Sequence, residues 1–313
     1  MKGLELSRKY YEEFGRPLLE AEFPDVLPFL AVGLAGSGSE CFGFDDEVSE
    51  DHDFEPGFCI FLPGEELVDR RTAFRLERAY AKLPKEYLGF RRSLMQPVGG
   101  ARRGVLRTAE FFSEKTGSPD GRLTGAQWLS VPESALAEAV NGELWADGFG
   151  EVTEIRGRLK EYPEDIRLKK MAGQLLLMAQ SGQYNYQRCL KHGEKAAAQL
   201  AVFEFVKSAA EVIFLLNRTY QPYYKWTFRA LRALPKLSIE AELMEYLLTS
   251  SNEPGEAEEK YAVIEGIAGD VAGALMDEGI TKAVCGDLEK HAYSVNDGIR
   301  DADLRNLHVL AGV

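Results

Sequence analysis

The chain is poor in the features that mark several protein classes. No stretch approaches the ~18 consecutive apolar residues that a membrane helix needs, so no membrane partner is expected. The opening residues Met1-Lys2-Gly3-Leu4-Glu5 turn polar and acidic at once, unlike a secretory signal, and a cytoplasmic location is expected. Only four cysteines occur (Cys41, Cys59, Cys189, Cys285), widely scattered and without a CxxC pair. That spacing suits neither a structural zinc site nor a disulfide framework and points to reduced, mostly buried thiols. The four histidines (His52, His192, His291, His308) share no ligand spacing. Positive charge is also short: 37 basic against 50 acidic side chains leave a formal net charge of −13. Such a field argues against duplex nucleic acid as a partner. The densest basic cluster, Arg102-Arg103 with Arg107, is modest, and a small metal-chelated anion is the better match.

With 313 residues, 45% hydrophobic and 28% charged, the chain has the composition of a soluble globular protein long enough for two domains. Apolar residues at helical spacing (Leu6, Tyr10, Phe14, Leu18, Leu19) predict a helix over residues 5–21, ended by Phe23-Pro24. Phe29 to Leu34 reads as a buried strand stopping at glycines, and Asp53 to Leu62 as a second strand closed by Pro63-Gly64. A helix is expected over residues 65–83 and a strand over 104–108, with Thr108 capping a helix over 109–115. Another helix follows Pro132, and Glu143 to Ala146 forms a last strand. From about residue 151 apolar residues recur at three and four in long stretches (164–181, 194–219, 239–249, 257–278, 287–298), the pattern of a helical bundle. The expected class is α+β: an N-terminal mixed sheet with helices over residues 1–150, then an all-α bundle over residues 151–313.

The chemistry-bearing stretch is Gly36-Ser37-Gly38-Ser39 followed by Asp51-His52-Asp53. Glycines let backbone N–H groups approach a phosphate, and Ser37 and Ser39 add hydroxyl donors. Aspartates at i and i+2 of a strand point to one face, where Mg²⁺ favours such oxygen ligands together with phosphate. His52 then faces the other way and serves packing. Asp45 and Asp46 are read as loop residues that fix a turn through backbone hydrogen bonds. Cys41, beside the loop, has no basic neighbour in sequence to activate it.

This layout resembles the polymerase-beta-like nucleotidyltransferases, which carry a strand, a Gly-Ser pair, a spacer and an Asp-x-Asp on the next strand. More narrowly, Gly36 to Glu40, Gly43-Phe44-Asp45-Asp46 and Ser49 to Asp53 look like an uncharacterised "domain of unknown function" family of that superfamily. So do Trp128 to Glu133, Gly142-Glu143 through Arg158-Leu159 to Tyr162-Pro163, and Asn217 to Trp226. The resemblance spans about residues 30–235 and is similar in layout to kanamycin nucleotidyltransferase, with its helical second domain. It implies that Gly36 and Ser37 hold the β- and γ-phosphates of a nucleoside triphosphate, here taken as ATP, while Asp51 and Asp53 ligate Mg²⁺. It also implies a third carboxylate on a later strand. Here the sequence departs, because residues 104–108 carry no acid; Glu143 and Glu110 are the nearest candidates, with Asp147 beyond.

The aromatic run Tyr220 to Trp226 admits a packing role, or a ring such as Tyr223 stacking on a base with Lys225 meeting phosphate. Arg188 and Lys191 near Tyr184 and Tyr186 read as a solvated helix face. The expected activity is Mg²⁺-dependent transfer of a nucleoside monophosphate from an NTP to an unknown small-molecule or protein acceptor. The alternatives are a catalytically inactive nucleotide-binding, regulatory protein of the same fold, and a toxin-type transferase acting on a protein or a transfer RNA end.

Overall fold

The computed structural model describes residues 1–48, 55–92 and 103–313. They form two compact units. One comprises Met1–Gln127 and Val131–Glu161; the other comprises Trp128–Ser130 and Tyr162–Val313.

The first unit opens with helix α1 (Gly3–Tyr10), a π-helical stretch (Tyr11–Gly15) and α2 (Arg16–Glu22), together the single helix that the apolar spacing predicts. Strand β1 (Ala31–Leu34) is shorter than expected, because Leu27–Phe29 wind into a 3₁₀ turn around Pro28. A second 3₁₀ turn (Ser39–Phe42) follows. Strand β2 is Cys59–Leu62, and among the described residues the stretch 55–58 leads into it without strand pairing. Helix α3 (Arg70–Ala81) starts where the Asp69 carboxylate accepts from the Thr72 N–H at 2.7 Å, five residues later than the periodicity suggests. A two-stranded hairpin, β3 (Glu86–Tyr87) and β4 (Phe90–Arg91), follows. Next come β5 (Gly104–Arg107) and α4 (Thr108–Thr116). The N-cap of α4 is Arg107, with Thr108 already inside the helix, so the expected threonine cap does not form. Helix α5 (Gly125–Ser130) begins on a Thr124/Gln127 capping box. Then come α6 (Glu133–Val140), β6 (Glu143–Asp147) and α7 (Glu151–Lys160).

The sheet order is β5-β2-β1-β6, with β1 antiparallel to both neighbours and β2 parallel to β5. It is therefore mixed. Successive residues of β2 alternate between two buried faces. Phe58, Ile60 and Leu62 join Tyr10, Tyr11, Leu19, Leu76 and Tyr80 in one core. Phe61 meets the Phe111 ring of α4 edge-on at 5.2 Å on the opposite side.

The second unit is all helical apart from its connections: α8 (Glu164–Met178), a π-helical stretch (Ala179–Asn185), α9 (Tyr186–Lys191), α10 (Lys195–Leu216) and α11 (Tyr224–Leu231). Helices α12 (Glu240–Thr249), α13 (Glu256–Asp277), α14 (Leu288–Asp297) and α15 (Ala302–Asn306) complete it. The 3.6-residue stripes of α8, α10, α12, α13 and α14 merge in one apolar core. Two buried cations within this unit are hydrogen-bonded to side chains and carbonyls. Arg167, fully buried, donates to Glu164 and to the Leu215 carbonyl. The Lys169 ammonium donates to Asn296 Oδ1 and the Leu307 carbonyl, tying α14 and the C-terminal segment to α8. None of the described helices is long and apolar enough to cross a membrane.

Candidate functional site

The register gathers four chain segments at one end of the sheet. Gly33 pairs with Cys59 and Cys59 with Gly104, while Leu34 pairs with Glu143. The exit of β1 therefore lies beside the entries of β2, β5 and β6. The sequence motif Gly36-Ser37-Gly38-Ser39 forms that exit.

The loop is held from below by the C-terminal end of α6. Asn141 Oδ1 accepts from the Gly36 N–H at 2.9 Å, and Asn141 Nδ2 donates to the Gly36 carbonyl at 2.8 Å. The next residue, Gly142, donates its N–H to the Cys41 carbonyl at 2.9 Å. Gly142 has φ +66, and a Cβ there would stand 1.9 Å from the Leu34 carbonyl oxygen, so only glycine fits. Gly36 has φ +123 with open space where a Cβ would go. The far end of the loop is fixed by Phe44 N–H donating to the Ser39 carbonyl, and by the Asp45 carboxylate accepting from Gly3 N–H at 2.8 Å. Asp46 Oδ1 accepts from Val48 N–H. Asp46 thus takes the turn-fixing role expected of one of the pair, whereas Asp45 ties the loop to the start of α1. Within this frame Ser37 is half-buried. Among the described residues, no acceptor engages the N–H groups of Ser37, Gly38 and Ser39.

Charge at this end of the sheet is organised around Arg103, just before β5. Its Nη2 donates to Glu40 Oε1 at 2.8 Å, and its Nη1 lies 3.3 Å from Glu55 Oε1. Arg103 and Glu40 side chains are 7% and 4% exposed, so this is a buried ion pair. Burial works against the guanidinium charge, yet Glu40 and Glu55 more than offset it. The Glu40 carboxylate folds back over Gly38, where a Cβ would stand 2.3 Å from Oε1. The network links the loop, the approach to β2 and the entry to β5. Arg156 of α7 lies behind it, buried, with Nε donating to the Ala139 carbonyl at 3.3 Å and burial pulling its pKa down. Burial pushes the Cys41 thiol well above its ordinary value, and the Cys59 thiol up to about 11. Both stay protonated near neutrality. Cys41 is a packing residue here, not a nucleophile.

The sequence candidates fall at different places. Asp51 and Asp53, with His52, lie outside the described residues. Glu143 sits at the loop end of the sheet, directly across from Leu34, with its exposed carboxylate accepting from Trp145 Nε1 at 3.1 Å. Glu110 is exposed in the first turn of α4, beyond the strand. Asp147 is at the opposite end of β6, opposite Ala31, where it accepts from Gly150 N–H, Thr153 N–H and Thr153 Oγ1 and anchors α7. Of the three acids, Glu143 alone shares the loop's end of the sheet.

In the second unit, Lys225 Nζ lies 5.3 Å from the Trp226 ring centroid, and the Tyr223 and Tyr224 rings are 4.4 Å apart and exposed. Tyr220 packs on Tyr162, which stacks on Trp128. Arg188 lies over the exposed Tyr184 ring, the solvated arrangement expected for that helix face. Asn141, Glu40, Glu55 and Arg103 were not legible as site residues. Only the turn signal Asn141-Gly142 hinted at one of them.

Residues 128–227 match a family described as a domain of unknown function, DUF4037. The matched stretch includes Asn141, Gly142 and Glu143, as well as Tyr223 and Lys225. Among curated proteins, none matches the chain.

Proposed function

We propose that this chain is a Mg²⁺-dependent nucleotidyltransferase that moves a nucleoside monophosphate from an NTP, ATP in the simplest case, to a small-molecule or protein acceptor. The observation that carries the reading is the Gly36–Ser39 loop. It leaves a central strand, is clamped through both backbone groups of Gly36 by Asn141, and keeps three consecutive N–H groups without an acceptor among the described residues. Consecutive N–H groups of this kind make a concave nest for phosphate oxygens. Ser37 adds a hydroxyl donor to the same phosphates.

Among the described residues, no group of three or more His, Cys, Asp or Glu side chains is placed to hold a metal ion. Glu40 and Glu55 are both engaged by the single Arg103 guanidinium. The metal assignment rests on the sequence pair Asp51 and Asp53, the hard-oxygen pair that precedes Glu55 in the chain and lies outside the described residues. Mg²⁺, when bound, neutralises charge on the transferred phosphate. The chain's own contribution is positional. The loop holds the β- and γ-phosphates, Asn141 fixes the loop, and Glu143 is the carboxylate at this sheet end able to receive the acceptor's proton. In-line attack of the acceptor on the α-phosphate then releases pyrophosphate.

A second reading is favoured by one specific feature: β5 carries no acid, so the strand beside β2 lacks the usual third carboxylate. On that reading the chain binds nucleotide and regulates a partner without transferring anything.

Incubation with α-labelled ATP, GTP, CTP and UTP in a cell extract separates the two. Mg²⁺-dependent label on an acceptor, lost in Asp53→Asn, supports transfer. Binding of nucleotide without covalent label supports the regulatory reading, and the absence of both binding and label overturns both readings.

A further inference from the structure

Helix α3 carries a surface that the nucleotide reading does not use. Its inner face packs Leu76, Ala79 and Tyr80 into the core. Its outer face presents Arg71, Arg75, Arg78 and Lys82, all exposed. At 3.6 residues per turn these four fall within ~60° of one another and run along about 16 Å of helix. Among the described residues none of the four is in an ion pair, whereas Arg70, off the stripe, is held by Glu65 at 2.7 Å. The nearest acid on the helix, Asp69, is engaged as its N-cap. Glu77 projects from another side of the helix, ~130° from the stripe centre. Beside the stripe Phe74 is 57% exposed, with the Arg78 guanidinium 5.8 Å from its ring centroid. Arg75 rests on the buried Phe23 ring at 5.3 Å, which fixes its direction.

In a chain of net charge −13, four like charges on one stripe, none of them in a close ion pair among the described residues, are a local exception. Screening confines each charge's reach to ~8 Å at physiological salt, so a ligand on the stripe meets the four cations before the distant acids. We propose that this face of α3 docks a single-stranded RNA segment, with phosphates along Arg71, Arg75, Arg78 and Lys82 and an unpaired base on Phe74. Cations tracking a backbone beside an exposed ring are the elements of single-strand recognition. A duplex suits the surface less, because its bases are not available to Phe74 and its higher charge density meets the acidic remainder of the protein. A lipid surface suits it less because only one large apolar side chain projects among the cations. The inference goes beyond the nucleotide reading and does not depend on it.

The test is fluorescence anisotropy of the full chain with labelled oligouridylate RNA at several salt concentrations. The expected result is binding with a log–log salt slope of about −3, from four phosphate contacts. Replacing Arg71, Arg75, Arg78 and Lys82 together by Gln should weaken it at least tenfold and flatten the slope. Phe74→Ala should weaken it about fivefold or more while keeping the slope. Lys282→Gln with Lys290→Gln, which removes exposed charge elsewhere, should leave it unchanged. All these side chains are exposed, and thermal melting checks that each variant is folded. Absence of RNA binding by the wild type, equal binding by the quadruple variant, or preference for anionic vesicles through the same residues would overturn the proposal.

Discussion

Asn141 holds Gly36 by both of its backbone groups, at 2.9 Å and 2.8 Å, across 105 residues of chain. One side chain thereby sets the shape of the loop that leaves β1. Replacing it by Ala removes two hydrogen bonds at a half-buried position and leaves a backbone donor and acceptor to be resolvated. Asn141→Ala is expected to lower unfolding free energy by about 1–3 kcal/mol and to weaken nucleotide binding as well. Denaturant titration and calorimetry on the same variant check both. A stability loss with unchanged nucleotide affinity would detach the loop from binding.

The glycines of the clamp differ in what they tolerate. At Gly142 both the positive φ and the Leu34 carbonyl oppose a side chain, whereas at Gly36 only the backbone conformation does. Gly142→Ala should therefore destabilise the chain more than Gly36→Ala, whose cost is the backbone strain alone, on the order of 1–3 kcal/mol. Comparison of denaturation midpoints decides, and the reverse order would contradict the close approach of Gly142 to Leu34.

The buried Glu40–Arg103 pair should behave as a coupled unit. Arg103→Leu removes the guanidinium from the buried Glu40 carboxylate and is expected to cost about 3–5 kcal/mol. Adding Glu40→Gln should recover part of that loss, so the double variant falls short of the sum of the singles. Strict additivity in denaturant unfolding would mean that the two charges do not interact.

Much of the fold was legible in the sequence, and the reasons are local. The stretches 194–219, 239–249, 257–278 and 287–298 carry unbroken apolar stripes, and α10, α12, α13 and α14 occupy them almost residue for residue. The strand expected over residues 104–108 is β5, Gly104–Arg107. What stayed hidden depends on contacts far apart in the chain. Nothing near Asn141 announces a partner 105 residues away, and Arg103 looks in sequence like part of a basic surface cluster with Arg107. In the fold Arg103 turns inward to Glu40, and Arg107 donates to the Pro63 carbonyl. The exposed basic face is on α3 instead, at i, i+4, i+7 and i+11 spacing. Helix α7, whose residues read as the start of the bundle, belongs to the first unit because Asp147 of β6 anchors its N-terminus.

Two carboxyls of the second unit give stability opposite pH dependences. Burial, together with the Asp270 charge, pushes the Glu240 carboxyl up to about 7. Its folded-state pKa lies above its unfolded value, so its contribution is present at low pH and lost as pH rises through about 7. Glu164 is held down to about 2, by Arg167 first and Arg218 second. Its contribution is present above the ordinary carboxylate range and lost as pH falls toward about 2. Unfolding free energies measured from pH 3 to pH 8 should show Glu240→Gln flattening the neutral side and Glu164→Gln the acidic side. If Glu240→Gln leaves the neutral side unchanged, the buried carboxyl is not the group that titrates there.

The central claim is that the Gly36–Ser39 loop and the Asp51/Asp53 pair together bind a metal-chelated triphosphate. Calorimetric titration of Mg·ATP, with and without excess chelator, into wild type, Ser37→Ala and Asp51→Asn/Asp53→Asn tests it most directly. Wild type is predicted to bind only with Mg²⁺ present. Ser37→Ala should bind more weakly by about 1.5–3 kcal/mol, one hydrogen bond to a charged group. The double aspartate variant should not bind while keeping the wild-type melting temperature. Wild-type affinity in the double aspartate variant, or binding indifferent to chelator, would contradict the account.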